Sequence, residues 1–397
     1  MPSRHPVARA DAVARVVLER YLGVRRGESV TVESWTHALP WARALVLEAR
    51  RRGAVPMLVL EDEETFFRSI ASMGAAVVPH VRPPAGPRGG AHVYLGGPAE
   101  FGRLLGLPFT DRDRLLARHD PRWWAAARRD RTRAVRLAVA DATPAAAALY
   151  EVDRDAWEAE LVRASLVDPS RLASAAARLV RALGRGRRLH LRHPNGTDLR
   201  VERADRAVIV DRGIPDPAAG AVWSRIPSGL VVLPLRPGAV SGRWESNRPS
   251  YDRFAPSPVS SGGRFTFDEG RLTEVEFDRG GEPFVDVLLR VGRHRVRAAA
   301  LTVGVNPGIA RAPELEALAE GTVGVVIADA PYRPDGVGPR FEYLASLADT
   351  EIDVDGRPWL RSGRPAGGRV DGRSVAADGQ RWNRSAKASR NVRASSR

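Results

Sequence analysis

The chain has 397 residues, 43% of them apolar, a formal charge of +15 and no cysteine. The missing cysteine removes disulfides, thiolate metal sites and cysteine nucleophiles together. No apolar run approaches the ~20 residues of a membrane span, and "MPSRHPVARADAVARVVLERYL" carries Asp11 and Glu19 without the apolar centre of a signal peptide, so a cytoplasmic protein is expected.

Helix and strand signals alternate over residues 6–145. Val13, Val16, Val17, Tyr21 and Leu22 share one helical face. "RRGESVTVES" is a Gly turn into a strand, and "ALPWARALVLEARRRGAVPMLVLED" is a helix, a stop at Gly53 and another strand. "EETFFRSIAS" reads as a helix whose opening acids, Glu61 to Glu64, suit a capping role better than paired catalysis. "AHVYLGG" is a short buried strand, and "YLGGPAEFG" lacks the spacing and distal acid of a dinucleotide fingerprint. Trp123 and Trp124 lie on a helical stretch, where packing explains them better than base stacking. "TRAVRLAVAD" is a strand ending on an acid. Strands separated by helices predict a parallel sheet covered on both faces.

Residues 150–185 are helical. The pattern then turns β-rich. "GRRLHLRHPNGTDLRVER" is a hairpin across Asn195-Gly196, "GRFTFDEGRLTEVEFD" a second, and "TEIDVDGRPWL" a third at Asp355-Gly356. Between them lie the helix "EPFVDVLLRVG" and the apolar strands "VRAAALTVG" and "GTVGVVIAD". The expected organisation is an N-terminal α/β domain (1–149), a helical connection (150–185), a β-rich α+β domain (186–363) and a disordered basic tail (364–397). Lys387 is the one lysine, so the charge is carried by arginine in a chain also rich in Ala, Gly and Pro. Nine basic residues against Asp371 and Asp378 put +7 of the +15 in the tail. This distribution disfavours a nucleic-acid-binding body and leaves tail binding as a minor reading.

Metal and nucleophile motifs are sparse. The histidines are His5, His37, His80, His92, His119, His190, His193 and His294, with no His-Glu-x-x-His among them. His190 and His193, three apart on a strand, point to opposite faces. No Gly-x-Ser-x-Gly elbow is present.

The ordered set "HPNGTDLRV", "DRG", "IPSGLVVLPL", "GAVSG", "FDEGRLTEVE", "VGVNPGI", "GTVGVVIAD" and "EIDVDGRPWL" resembles the thermophilic metallo-aminopeptidases of the aminopeptidase T type. "GVRRGESVTVESWTHALPWARALVLEARRRGAVPMLVL" is similar to that family's N-terminal domain, and the resemblance spans roughly residues 6–363. It implies an aminopeptidase T-like two-domain fold, a homodimer, and two divalent ions held by Glu, His and Asp, whose bound water attacks an amide. Matched residue by residue, the family's first Glu falls on Leu230, its second near Ala300 and a His on Gly324. Its His-x-Asp pair falls on Phe341 and Tyr343, and a general-acid or oxyanion Tyr lies near Tyr332. None of the matched ligand places coordinates a hard cation, and no histidine follows His294. The iron-dependent ring-cleaving relatives of this fold need a two-His-one-carboxylate triad and meet the same objection.

The expectation is therefore a metal-free protein without a cofactor, binding a small molecule, peptide or partner on an aminopeptidase scaffold. The alternative is a hydrolase with a remodelled site, for which Asp329, Tyr332, Arg340 and Glu342 are the candidates.

Overall fold

Apolar alternation in short runs between amphipathic helices builds the first half. The computed structural model describes residues 6–73, 90–105, 121–248, 250–251, 259–330 and 342–366. Helix α1 (Pro6–Val16) runs into a π-turn ending at Tyr21, and Val13, Val17, Tyr21 and Leu22 are buried as one stripe. Then follow β1 (Ser29–Trp35), α2 (Leu39–Arg51), β2 (Val55–Glu61), α3 (Glu63–Met73) and β3 (Ala91–Leu95). Gly53, at φ +70°, takes the left-handed turn that ends α2. Asp62 caps α3 by accepting from the Thr65 amide at 2.8 Å, while Glu63 reaches away to the amides of Ala99 and Glu100. Helices α4 (Phe101–Leu105) and α5 (Pro121–Arg129), which contains Trp123 and Trp124, lead to β4 (Arg133–Leu137). Helices α6 (Pro144–Leu149), α7 (Arg154–Ser165) and α8 (Pro169–Leu183) start on the side-chain caps Thr143, Asp153 and Asp168.

The second half supplies β5 (Arg188–Arg192), β6 (Asp198–Arg203), β7 (Ile209–Asp211), β8 (Trp223–Ile226) and the long β9 (Leu230–Glu245). The short pair β10 (Ser250–Tyr251) and β11 (Val259–Ser260) precedes β12 (Arg264–Asp268), β13 (Arg271–Glu276), α9 (Glu282–Val291) and β14 (Arg297–Gly304). Strands β15 (Val323–Ala328), β16 (Glu342–Leu347), β17 (Glu351–Val354), β18 (Arg357–Arg361) and β19 (Arg364–Pro365) complete it. All three predicted hairpins form, as β5–β6, β12–β13 and β17–β18.

Two sheets result. A parallel five-stranded sheet runs β2-β1-β3-β4-β8. A 12-stranded sheet runs β16-β15-β14-β13-β12-β9-β6-β5-β17-β18-β19, with β7 paired to β9 and a further β14–β9 pairing. The last parallel strand, β8, comes from the second half of the sequence, so the parallel sheet extends past the expected boundary at residue 149. The chain changes sheets in "IPSG": Ile226 ends β8, the Ile226–Pro227 bond is cis, and Leu230 begins β9. Gly229 at φ +123° makes this crossing possible, because a Cβ there would meet Asn306 Cβ at 3.0 Å. The buried Asn306 locks the turn by donating to the Ser228 carbonyl at 2.6 Å and accepting from the Gly308 amide at 2.8 Å.

Pairing with β18 carries the second sheet to Pro365, and the remainder of the expected tail, 367–397, lies outside the described residues. No helix among the described residues is long and apolar enough to cross a membrane.

Candidate functional site

Strand alternation decides which of the matched ligand places share a surface. On β9, β14 and β15 the residues Leu230, Ala300 and Gly324 fall on one face of the large sheet. Thr302 stands at their centre, opposite Val232 on one side and Gly324 on the other. Leu230 and Ala300 belong to a small apolar cluster with Val232, Val326 and Leu344. A Cβ at Gly324 would meet Thr302 Oγ1 at 2.6 Å and Leu344 Cδ1 at 2.7 Å. The space a larger side chain would need there is thus already filled.

Tyr343 does not join this group. It lies on the opposite face of β16, with its ring 4.7 Å from Phe284 and its hydroxyl 2.7 Å from Ser260 Oγ. The β16 residues that do share the face of Gly324 are Glu342, Leu344 and Ser346, since Ser346 pairs with Gly324 and Leu344 with Val326. An i, i+2 pair presented to that face is therefore Glu342 and Leu344, one residue on from the sequence match. Phe341, Tyr332 and Arg340 lie outside the described residues. Asp329 follows the end of β15, and Glu342 is exposed opposite Ala328, so these two candidates stand at the same end of the β15–β16 pair.

The residues at these places do not fit the metal pair that the resemblance implies. Leu, Ala and Gly offer no side-chain donor, and Thr302 and Leu344 occupy the intervening volume. Among the described residues no group of three or more His, Asp or Glu is placed to hold an ion.

A second constellation escaped the sequence reading. Doubly covered parallel sheets read apolar on both faces. Here one face is apolar, with Val30, Val32, Val93, Leu95, Val135, Leu137 and Ile226 in the main core. The opposite face carries a cross-strand row, Glu33–Tyr94–Arg136–Arg225, in direct register on four adjacent strands. Asp141, on the 3-10 turn after β4, accepts from Arg136 at 2.8 Å. Arg225 donates to Glu314 at 3.3 Å, and Glu314 accepts from the Tyr150 hydroxyl at 2.7 Å. Arg225 Nε is buried with no hydrogen-bond partner in the structure. Burial raises the Asp141 carboxyl above the usual range, although Arg136 and Arg225 oppose it. Burial, then the nearby Glu33, pushes Tyr94 up to about 12. The signal in the sequence was an arginine inside each of two short apolar strands, "RAVRL" and "WSRI".

His37 lies beside this edge. Its Nε2 is 3.3 Å from the Ala140 carbonyl, which makes Nε2 the protonated nitrogen, and Nδ1 is buried without a partner. Burial holds His37 below the usual value of 6.5, against the opposing pull of the Ala140 carbonyl, Glu63 and Asp141. The unfolded chain then binds the proton first as pH falls. The stability contributed by neutral His37 is full above 6.5 and is lost as pH drops through that value towards the folded pKa. His37→Gln is expected to flatten this part of a urea-midpoint profile against pH; an unchanged profile would mean the ring is solvated.

Elsewhere, a cavity of about 370 Å³ is lined by Arg20, Asp168, Pro169, Ser170, Arg212 and Ile214. Its acid is already engaged, capping α8 and pairing with Arg20.

No family model and no curated protein matches this chain. Solved structures do. Aminopeptidase T from Thermus thermophilus superposes with a TM-score of 0.61 at 19% identity, over 90% of this chain and 99% of that one. The 2,5-dihydroxypyridine dioxygenase from Pseudomonas putida KT2440 superposes with a TM-score of 0.57 at 14% identity, over 92% and 99%. A parallel sheet and a large β-rich sheet in this arrangement give the chain an aminopeptidase T-like fold.

Proposed function

We propose that this chain is a metal-free binding protein on an aminopeptidase T-like scaffold. The observation that carries the reading is the filled space at Gly324, where Thr302 and Leu344 stand in place of an inward side chain. Leu230 and Ala300 on the same face supply packing and no donor. The decisive measurement is metal analysis of purified protein, paired with an aminopeptide hydrolysis assay at added zinc or cobalt. Substoichiometric metal and no released amino acid are expected. Tightly bound divalent metal with chelator-sensitive peptidase activity would overturn the reading.

The ligand is a small molecule or a peptide, and the carboxyl edge of the parallel sheet is the place best suited to it. The order β2-β1-β3-β4-β8 reverses direction between β1 and β3, and open α/β sheets bind ligands outside the carboxyl ends of the strands at such a reversal. His37, Gly96 and Asp141 meet there: a Cβ on Gly96 would lie 3.2 Å from Asp141 Oδ1. A thermal-shift screen over a compound panel, repeated on His37→Gln, tests the placement. Hits that ignore the substitution put the ligand elsewhere.

One observation favours a second reading, a hydrolase with a remodelled site: Asp329 and Glu342 stand together at one end of β15 and β16. Glu342→Gln leaving any detected hydrolysis unchanged would remove it.

A further inference from the structure

Strand β2 is the outer strand of the parallel sheet, bonded to β1 on one side only. It is also the most exposed apolar strand described. Val55 is 62% exposed, Leu60 46%, and Met57 and Leu58 40% each. Leu47 on the neighbouring α2 is exposed at 45%. Open edges of this kind pair with other strands unless charge, proline or a covering element blocks them.

The charge pattern around β2 selects the occupant. Arg50 and Arg51 are exposed before the strand, and Glu61, Asp62 and Glu64 follow it. Arg51 has only a long contact to Glu48, at 3.7 Å, and Glu61 is raised by burial and by its neighbours Glu33 and Asp62. A strand with a basic start and an acidic end complements itself when turned antiparallel. A two-fold axis then sets the arginines of one copy beside the acids of the other.

The backbone selects the register. The Val55 amide bonds inward to the Glu28 carbonyl at 2.8 Å. Alternation therefore turns the main-chain groups of Pro56, Leu58 and Leu60 outward. Pro56 has no amide to give. An axis through Leu58 would set Leu60 opposite Pro56 and leave the Leu60 carbonyl without a donor. An axis through Val59 pairs Leu58 with Leu60 of the second copy, in mutual hydrogen bonds, and stacks their side chains as cross-strand pairs.

We propose that β2 pairs antiparallel with β2 of a second copy about an axis at Val59, joining the two parallel sheets across a homodimer interface.

Val59 then faces itself in a non-hydrogen-bonded pair, with Cα atoms ~4.5 Å apart, inside the ~4.4–6.8 Å span a disulfide accepts. The chain has no cysteine, so Val59→Cys introduces a single thiol. Under mild oxidation Val59→Cys is expected to run as a covalent dimer on a non-reducing gel. Leu289→Cys, at the position that is 68% exposed on α9, serves as the control and is expected to stay monomeric on the gel. Analytical ultracentrifugation is expected to show a dimeric parent chain, and a monomer for the Leu58→Lys, Leu60→Lys double variant. A monomeric parent chain overturns the proposal. So does a dimer that survives the lysines without Val59→Cys cross-linking. If the lysine variant does not fold, the conservative Val59→Cys decides the question, and linkage no faster than that of Leu289→Cys overturns it.

Discussion

Arg225→Ala is expected to lower the unfolding free energy by roughly 2–4 kcal/mol, read from urea titration followed by circular dichroism. Truncating one member of a fully buried ion pair costs ~3–5 kcal/mol, because its partner keeps its charge and loses its compensation. The lower range applies because Arg225 and Glu314 keep 23% and 16% of their side-chain surface. Glu314 would retain only the Tyr150 hydroxyl of the two partners described above, and Asp141 would lose one of the two cations that oppose its raised pKa. The sign of the pH effect follows. The folded Asp141 carboxyl holds its proton to higher pH than the unfolded one, so its contribution falls as pH rises from the usual 3.8 to the folded value. Removing Arg225 deepens that fall. An Arg225→Ala, Glu314→Ala cycle should show strong coupling, since the two share one network. A loss below ~0.5 kcal/mol, the range of an ordinary surface substitution, would mean the row is solvated.

Gly324→His, which restores the residue type the resemblance expects, should destabilise the protein by about 1–3 kcal/mol or more and bind no zinc. Its Cβ alone would fall 2.6 Å from Thr302 Oγ1, and Thr302 is buried and bonded to the Gly324 carbonyl at 3.3 Å. The imidazole would then have to displace Leu344. Adding Thr302→Ala and Leu344→Ala should recover part of the loss by opening that volume. A stable single variant that takes up zinc in equilibrium dialysis would show that the space is open and would weaken the metal-free reading.

Much of the fold was legible because it rests on local rules. Asn195-Gly196, the Asp268–Gly270 stretch and Asp355-Gly356 each specify a tight turn between alternating residues, and all three hairpins form. Gly53 stops α2 and Asp62 caps α3 by backbone geometry a few residues long. The parallel strands β1 to β4 follow from the spacing of apolar runs between helices. What escaped is non-local. Strand β8 is four residues, too short to show its own period, and it joins a sheet whose other strands end some 85 residues earlier, at Leu137. The row Glu33–Tyr94–Arg136–Arg225 takes one residue from each of four strands, so no window of sequence contains it.

The matched ligand places divide the same way. Composition alone determined that Leu230, Ala300 and Gly324 present no donor atom, because that is a property of each side chain. Only pairing register decided that these three share a face while Tyr343 turns into the aromatic core. A strand's period of two makes a one-residue slip in matching reverse the face of every side chain, and a sequence comparison carries no information about which face is which. The stretch "IPSGLVVLPL" shows both limits. Its turn and its buried strand were readable from Pro227, Gly229 and the apolar run. That the turn carries the chain from one sheet to the other, under the lock of Asn306, depends on contacts 78 residues apart in sequence.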